Sequence, residues 1–282
     1  MNKQLLDSIT QSVKLALSED IGDGDITAGL INKNQNASAR ILCRETAVIC
    51  GIPWVNEVFG QVDESIMINW EVEEGNHLSP DQTLCSIYGN ARHILTAERT
   101  ALNFLQTLSA TATNTQSYAD LIAGTNCKIL DTRKTIPGLR LAQKYAVHVG
   151  GGKNHRAGLY DAILIKENHI RSVGSIKAAV DLAQKHHGDS IMIEVEVETI
   201  HELEQAIAAG AKRIMLDNFN IEELRQAVQI NHAFAKLEAS GNINKQTIRE
   251  IALTGVDYIS LGALTKHIQA IDLSLLFKFT DD

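Results

Sequence analysis

Proline is scarce, three residues in 282, and no low-complexity tract interrupts the chain, which excludes a disordered or linker-like protein. The four cysteines, Cys43, Cys50, Cys85 and Cys127, form no C-x-x-C pair. A chain of this length needs no disulfide framework to hold a core, so they read as reduced thiols. No apolar run approaches the ~18 residues of a membrane span. Lys3, Asp7 and Lys14 break up the segment from Met1 to Leu17, which therefore lacks the apolar centre of a signal peptide, and the expected location is the cytoplasm. Ten histidines include neither H-x-x-x-H nor H-E-x-x-H, which argues against a zinc centre. Positive charge is also in deficit: 26 Lys and Arg against 34 Asp and Glu leave a net −8, unsuited to a general nucleic-acid or anionic-membrane surface. Any anion site must be local.

What is present is a globular composition, 44% hydrophobic and 21% charged, long enough for two domains at roughly 150 residues each. The first third mixes periods. Leu5, Ile9, Val13 and Leu17 repeat every four residues as on a helix, while Ile66 to Val72 alternates as on a strand. Near Ala91 a long helical stripe begins, carrying Ile94, Leu95, Ala101, Leu102, Leu105 and Leu108, with Glu98 inside it and Arg99 at its edge. Such a pair is either an ion pair of the fold or an arginine placed for an interface or a site.

From Cys127 onward, short β-like runs alternate with helical stretches: Lys128 to Leu130, Ala162 to Ile165, Ile191 to Val197, Arg213 to Leu216, Ala235 to Leu237 and Tyr258 to Leu261. Alternation of this kind predicts right-handed parallel βαβ units. No G-x-G-x-x-G follows the first run, so a dinucleotide-binding fold is disfavoured, and eight units do not fit. The expected class is α/β: an N-terminal domain over 1–115, then an incomplete parallel (β/α) barrel of six or seven strands over 116–267, with a tail, 268–282, able to rejoin the first domain.

In such a barrel the chemistry gathers at the carboxyl ends of the strands. The residues there are Asp131-Thr132-Arg133-Lys134, Lys166-Glu167-Asn168-His169, Glu196, Asp217-Asn218, Glu238-Ala239-Ser240-Gly241 and Gly262. Nine of the Lys and Arg residues, against three acidic ones, fall within 128–171, a local +6 on an otherwise acidic chain. A basic mouth of this kind draws small multivalent anions, for which the guanidinium forks of Arg133 and Arg156 and the point charges of Lys134 and Lys166 are suited. Glu194, Glu196 and Glu198 should share one face of their strand, where at least one must meet a basic partner. Glu196 and Asp217 are hard oxygen donors suited to Mg²⁺ or to sugar hydroxyls. The triple glycine Gly150 to Gly152 before Lys153-Asn154-His155-Arg156 is a helix C-cap or an anion-binding turn, but not a P-loop, since Val147 and Asn154 break that pattern. Asp20 to Asp25 carries glycine where an EF-hand needs a ligand, and reads as a structural turn.

Read together, these blocks resemble the quinolinate phosphoribosyltransferase family over nearly the whole chain. The blocks are Glu19 to Thr27, Glu98-Arg99-Thr100-Ala101-Leu102-Asn103, Asp131 to Gly138, Gly150 to Arg156, Leu164 to His169, Met215 to Phe219, Leu237 to Gly241 and Gly262 to Thr265. The resemblance implies an N-terminal open α/β sandwich with an incomplete α/β barrel, assembled as a homodimer or a multiple of dimers. The implied reaction is phosphoribosyl transfer from phosphoribosyl pyrophosphate to quinolinate with decarboxylation, giving nicotinate mononucleotide, pyrophosphate and CO₂ in NAD biosynthesis. By the same resemblance, Thr132, Arg133, Lys134, His155, Arg156 and Lys166 line the substrate pocket, and Arg99 joins from the neighbouring subunit. Glu196 and Asp217 face the ribose and Mg²⁺, Ser240, Gly241 and Gly262 face the 5′-phosphate, and Asn242, Leu261 and Ala263 are further substrate-binding positions. Lys134, Lys166, Glu196 and Asp217 are the expected catalytic residues. Lys153 stands where the family more usually has a small residue. Two rivals remain: a barrel aldolase forming a Schiff base on Lys166 at the end of the apolar run Ala162 to Ile165, and a paralogue that only binds an oxyanion in molybdenum transport.

Overall fold

The computed structural model describes residues 1–279. In chain order the first elements are α1 (Lys3–Ile21), β1 (Asn36–Cys43), β2 (Ala47–Val48), α2 (Ile52–Val62), β3 (Met67–Trp70), β4 (His77–Leu78), β5 (Gln82–Asn90) and α3 (Ala91–Leu121). They are followed by β6 (Lys128–Leu130), α4 (Arg140–Val149), β7 (Ala162–Ile165), α5 (Glu167–Val173), α6 (Ile176–His187), β8 (Met192–Val197), α7 (Ile200–Ala208) and β9 (Arg213–Asp217). The chain ends with α8 (Ile221–Asn231), β10 (Lys236–Ser240), α9 (Ile248–Ala252), β11 (Tyr258–Ser260), α10 (Ala263–Lys266) and β12 (Leu273–Phe279). It divides into two compact units, one of Met1–Gln116, Ile136–Gly151 and Thr265 onward, the other of Ser117–Thr135 and Gly152–Leu264.

In the first unit an antiparallel sheet runs in the order β12-β1-β5-β3, so the C-terminal strand completes its edge beside β1. The four-residue repeat of α1 buries Ile9, Val13 and Leu17, and α2 inserts Trp54, Val55, Val58 and Phe59 into the same core. The α3 stripe contributes Ile94, Ala97, Ala101, Leu102, Leu105 and Leu108, all buried. Glu74 closes the amino end of α2 by accepting from the Gly51 and Ile52 N–H groups at 2.7 and 3.1 Å, which satisfies donors that no helical carbonyl can reach. The segment containing α4 groups with this unit, whereas the sequence placed it with the barrel. The reason is visible in its packing: Ala142 and Ala146 enter the first core, Tyr145 lies 5.5 Å from Trp54, and Gln143 donates to the Thr265 carbonyl at 2.8 Å. The four cysteines are free and buried. Among the described residues no helix is long and apolar enough to cross a membrane.

In the second unit six parallel strands run in the order β6-β11-β10-β9-β8-β7. The chain lays down β6, then β7 at the far edge, and returns strand by strand until β11 pairs with β6. That is the winding of a barrel left open between its first two strands, as expected for the fold class. Lys153 makes an isolated parallel bridge with Leu130 beside β6, its N–H donating to the Ile129 carbonyl at 2.8 Å. Helices start at built-in caps: Ser175 before α6, Thr199 after β8 and Asn220 after β9 each accept from a backbone N–H of the following turn, and Glu223 accepts in return from the Asn220 N–H.

The core of this unit carries charge. Glu194 on β8 and Glu238 on β10 are both fully buried, and Arg213 on the intervening β9 donates to both, Nε to Glu194 at 3.0 Å and Nη2 to Glu238 at 2.6 Å. Its guanidinium also lies 4.4 Å over the Tyr258 ring. Burial works against ionisation of Glu194, yet the His155 hydrogen bond and the Arg213 charge outweigh it and hold that carboxyl below its ordinary range. Glu238 goes the other way: burial and then the neighbouring Glu194 push it from 4.5 up to about 7. Its Oε1 is buried without a hydrogen-bond partner, an arrangement far less costly for a neutral carboxyl than for a carboxylate.

Because folding raises this group, its contribution is fully present below pH 4.5 and is lost as pH rises through about 7. Between pH 5 and 8 the urea-unfolding free energy of the wild-type chain should fall relative to that of Glu238→Gln by about 3 kcal/mol at most. Parallel pH profiles for the two proteins would show that Glu238 is ionised throughout.

Candidate active site

Parallel strands all end on one side of their sheet, so the residues at their carboxyl ends meet there whatever their distance in sequence. A cleft of about 370 Å³ opens at that end of the second unit, lined by Thr132, Arg133, Lys134, His155, Arg156, Lys166, Glu196, Asp217 and Ser240, together with Glu238 and Ser260. The cleft of the first unit is different in kind. It is lined by Leu15, Ala16, Phe104, Leu108 and Leu139 together with Glu19 and Asp20, and among the described residues no Lys or Arg lines it, so it offers nothing to an anion.

Within the polar cleft the cations crowd one another. Arg156 is partly buried, and burial together with the neighbouring Arg133 lowers its guanidinium from the ordinary value. Two adjacent guanidiniums in a concave site are relieved by an anion between them. Lys166, immediately before α5, pairs with Glu196 across the cleft, and its N–H donates to His169 Nδ1 at 3.0 Å. Lys166 is therefore a half-exposed, ion-paired amine, and the dry surroundings expected for a Schiff-base lysine are not there. The side chain of Thr132 accepts from the Lys134 N–H at 3.1 Å, which folds the turn after β6 back toward the cleft.

Asp217, at the end of β9, is held by a relay that spacing alone does not reveal. Asn218 Nδ2 donates to Asp217 Oδ2 at 2.9 Å, and Asn242 Nδ2 donates to Asn218 Oδ1 at 3.2 Å. The turn that presents Asn242 depends on Gly241, whose φ of +94° favours glycine and whose missing Cβ would stand 2.2 Å from Asn218 Oδ1. Gly262 serves similarly, since a Cβ there would meet Lys134 Cδ at 2.9 Å. The glycines expected near a phosphate thus also make room for site side chains.

Other expected site residues fall outside the lining. Leu261 is 2% exposed, its N–H pairing with the Leu130 carbonyl, so only its backbone is on offer. Ala263 opens the short α10. Arg99 lies exposed on α3 in the first unit, and Glu98 beside it is half-buried, raised by burial and only partly offset by Arg99. Gly150 is the C-cap of α4, its N–H on the Ala146 carbonyl at 2.9 Å, and a Cβ there would stand 2.3 Å from the Ala112 carbonyl oxygen. Lys153 is exposed and does not line the cleft. Of the three alternating glutamates, Glu194 points into the core and Glu196 into the cleft, while Glu198 lies beyond the end of β8 and is exposed. Asp25 closes the acidic turn by accepting from the Thr27 and Ala28 N–H groups at 3.0 and 2.9 Å, the structural role expected of it. Sequence reasoning missed Arg213 altogether, because a lone arginine at the start of a strand carries no signal until the two glutamates are seen beside it.

The sequence matches the model of the quinolinate phosphoribosyl transferase N-terminal domain over residues 25–109 and that of the C-terminal domain over residues 111–276. It is 39% identical to quinolinate phosphoribosyltransferase (decarboxylating) 2b, mitochondrial, of Nicotiana tabacum, over 95% of this chain and 81% of that protein. Among solved structures, the nicotinate-nucleotide pyrophosphorylase of Francisella tularensis superposes with a TM-score of 0.94 at 51% identity, covering 97% of each chain. NadC of Streptococcus pyogenes gives 0.94 at 37% identity, also over 97% of each. Similarity of this extent, through both domains, leaves one assignment: the chain belongs to the quinolinate phosphoribosyltransferase family.

Proposed function

We propose that the chain transfers the phosphoribosyl group of phosphoribosyl pyrophosphate to quinolinate and decarboxylates the product, yielding nicotinate mononucleotide, pyrophosphate and CO₂ for NAD biosynthesis. The observation that carries this reading is a single cleft in which Arg133, Lys134, Arg156 and Lys166 face Glu196 and Asp217 at the strand ends. Cations hold a dicarboxylate and a pyrophosphate, and carboxylates support a sugar that turns cationic. An aldolase needs no such opposition of charges, and a protein that only binds an oxyanion needs no carboxylates beside it.

The chemistry asks for no general base, because the quinolinate ring nitrogen already bears a lone pair. That pair forms the bond to the anomeric carbon as the carbon–oxygen bond to pyrophosphate breaks, its electrons leaving with the pyrophosphate. The basic groups offset the charge gathering on the leaving group, while Glu196 and Asp217 face the positive charge gathering on the ribose. The new pyridinium then takes up the electron pair of the bond to the 2-carboxylate as CO₂ departs, and a proton from water fills the vacated position. Two half-buried carboxylates on neighbouring strands, Glu196 and Asp217, are a fitting donor set and would hold Mg²⁺. When bound, Mg²⁺ neutralises charge on the pyrophosphate. Ser240 and the Gly241 and Gly262 backbone are assigned to the 5′-phosphate. Four free thiols suit a reducing compartment, and we place the chain in the cytoplasm. Arg99, exposed on α3, is assigned to the site of a partner copy in a homodimer.

Replacing Arg133 or Arg156 by Ala should lower kcat/KM at least about 100-fold with little change in unfolding midpoint, since these side chains serve ligand charge rather than packing. Wild-type kcat/KM in either variant would remove that residue from the pocket. Nicotinate, lacking the 2-carboxylate, should be a poor substrate because it leaves a cation unpaired; equal rates with quinolinate would refute the assignment of the basic cluster. Arg99→Ala and Lys134→Ala homodimers should each be nearly inactive, while co-refolded mixtures recover up to about a quarter of wild-type activity from the single intact site of the mixed dimer. No recovery despite demonstrated subunit exchange would place Arg99 elsewhere.

A further inference from the structure

His155 was expected to touch substrate, yet its ring is almost wholly engaged by the protein. The residue is 8% exposed, its backbone N–H donates to Asp131 Oδ1 at 2.8 Å, its ring Nδ1 accepts from the Arg156 N–H at 2.8 Å, and its ring Nε2 stands 2.7 Å from Glu194 Oε2. An imidazole nitrogen that accepts a backbone N–H bears no proton, so the proton lies on Nε2 and is donated to Glu194. Glu194 accepts in turn from Arg213, which also holds Glu238, and Glu238 Oε2 lies 3.7 Å from the same Nε2. His155, Glu194 and Glu238 are close enough to surround a metal ion, but the Arg213 guanidinium already occupies both carboxylates. A cation-binding role is therefore not what the cluster offers.

Resting on the transferase reading for the identity of the ligand, we propose that Glu194, Arg213 and Glu238 are positioning residues: they fix the His155 imidazole with its proton on Nε2 so that Nδ1 holds the Arg156 backbone, and thereby its guanidinium, in register with the anion. Each link has a residue and a direction. Arg213 draws the two glutamates together across β8, β9 and β10, and Glu194 orients the ring. The ring pins the Arg156 N–H, and the Arg156 guanidinium is steadied at its far end by the Ala162 carbonyl at 3.3 Å. Asp131, at the end of β6, holds the His155 backbone from the opposite side. His155 acts through Arg156 and not as a donor to substrate.

Asparagine places an acceptor near the position of Nδ1, whereas glutamine places its amide near that of Nε2 and leaves the Arg156 N–H without its partner. The dissociation constant for phthalate, an unreactive dicarboxylate, should accordingly stay within about three-fold of wild type in His155→Asn and rise about 10- to 100-fold in His155→Gln, with the quinolinate KM following the same order. Equal losses in the two variants, or a better-binding His155→Gln, would overturn the proposal. Independently of any ligand, ¹⁵N spectra of the imidazole should show a bare Nδ1 and a protonated Nε2 in the folded wild-type chain. Arg213→Met, where it folds, should shift both signals and weaken phthalate binding. A proton on Nδ1, or phthalate binding untouched in a folded Arg213→Met, would also overturn it. If wild type binds phthalate but turns over no quinolinate, the transferase reading fails while the ring spectrum still decides the positioning role.

Discussion

Arg213 makes the barrel core possible as it stands. Two carboxyl groups buried within reach of one another would repel, and neither could leave water without a counterion. One guanidinium on the strand between them bonds to both, and the Tyr258 ring covers its face. Burial and the neighbouring Glu194 keep Glu238 protonated to a higher pH than a surface glutamate would be, and one of its carboxyl oxygens has no hydrogen-bond partner. Removing Arg213 alone would strand a buried negative charge, a loss that typically costs about 3–5 kcal/mol.

Above this acidic floor lies a basic mouth, and the contrast between them organises the site. The net charge of −8 keeps the molecule as a whole unattractive to polyanions. The cleft nevertheless collects Arg133, Lys134, Arg156 and Lys166 because the strand ends converge there. Its carboxylates are not spread evenly among the cations. Glu196 is answered by Lys166, and Asp217 is steadied by Asn218 and Asn242. Arg156 lies close enough to Arg133 for the two charges to repel, and an anion between them would relieve that repulsion.

Much of this was legible in the sequence, and the limits of legibility have physical causes. Strand positions could be read because buried parallel strands are short apolar runs between helical stretches: Lys128 to Leu130 and Ala162 to Ile165 agree with β6 and β7 to the residue. Polar residues following such runs announced the cleft, since only the carboxyl ends of barrel strands have reason to gather them. The segment 136–151 was harder, because an amphipathic helix shows that it has an apolar face but not which core receives it; Trp54 and Thr265 decide that. His155 was placed in the pocket by resemblance alone, and it does line the cleft, but the direction of its ring bonds cannot be seen in spacing. Arg213 was invisible for a related reason, as its importance comes from Glu194 and Glu238, 19 and 25 residues away.

The proposed activity requires one cleft to perform both the transfer and the decarboxylation. It is tested most directly by incubating the purified chain with phosphoribosyl pyrophosphate, Mg²⁺ and quinolinate labelled in its 2-carboxylate, and counting CO₂ and pyrophosphate from the same reaction. Release in equal amounts is expected, with nicotinate mononucleotide matching both. Pyrophosphate without labelled CO₂, or binding of the anions with neither product, would contradict it.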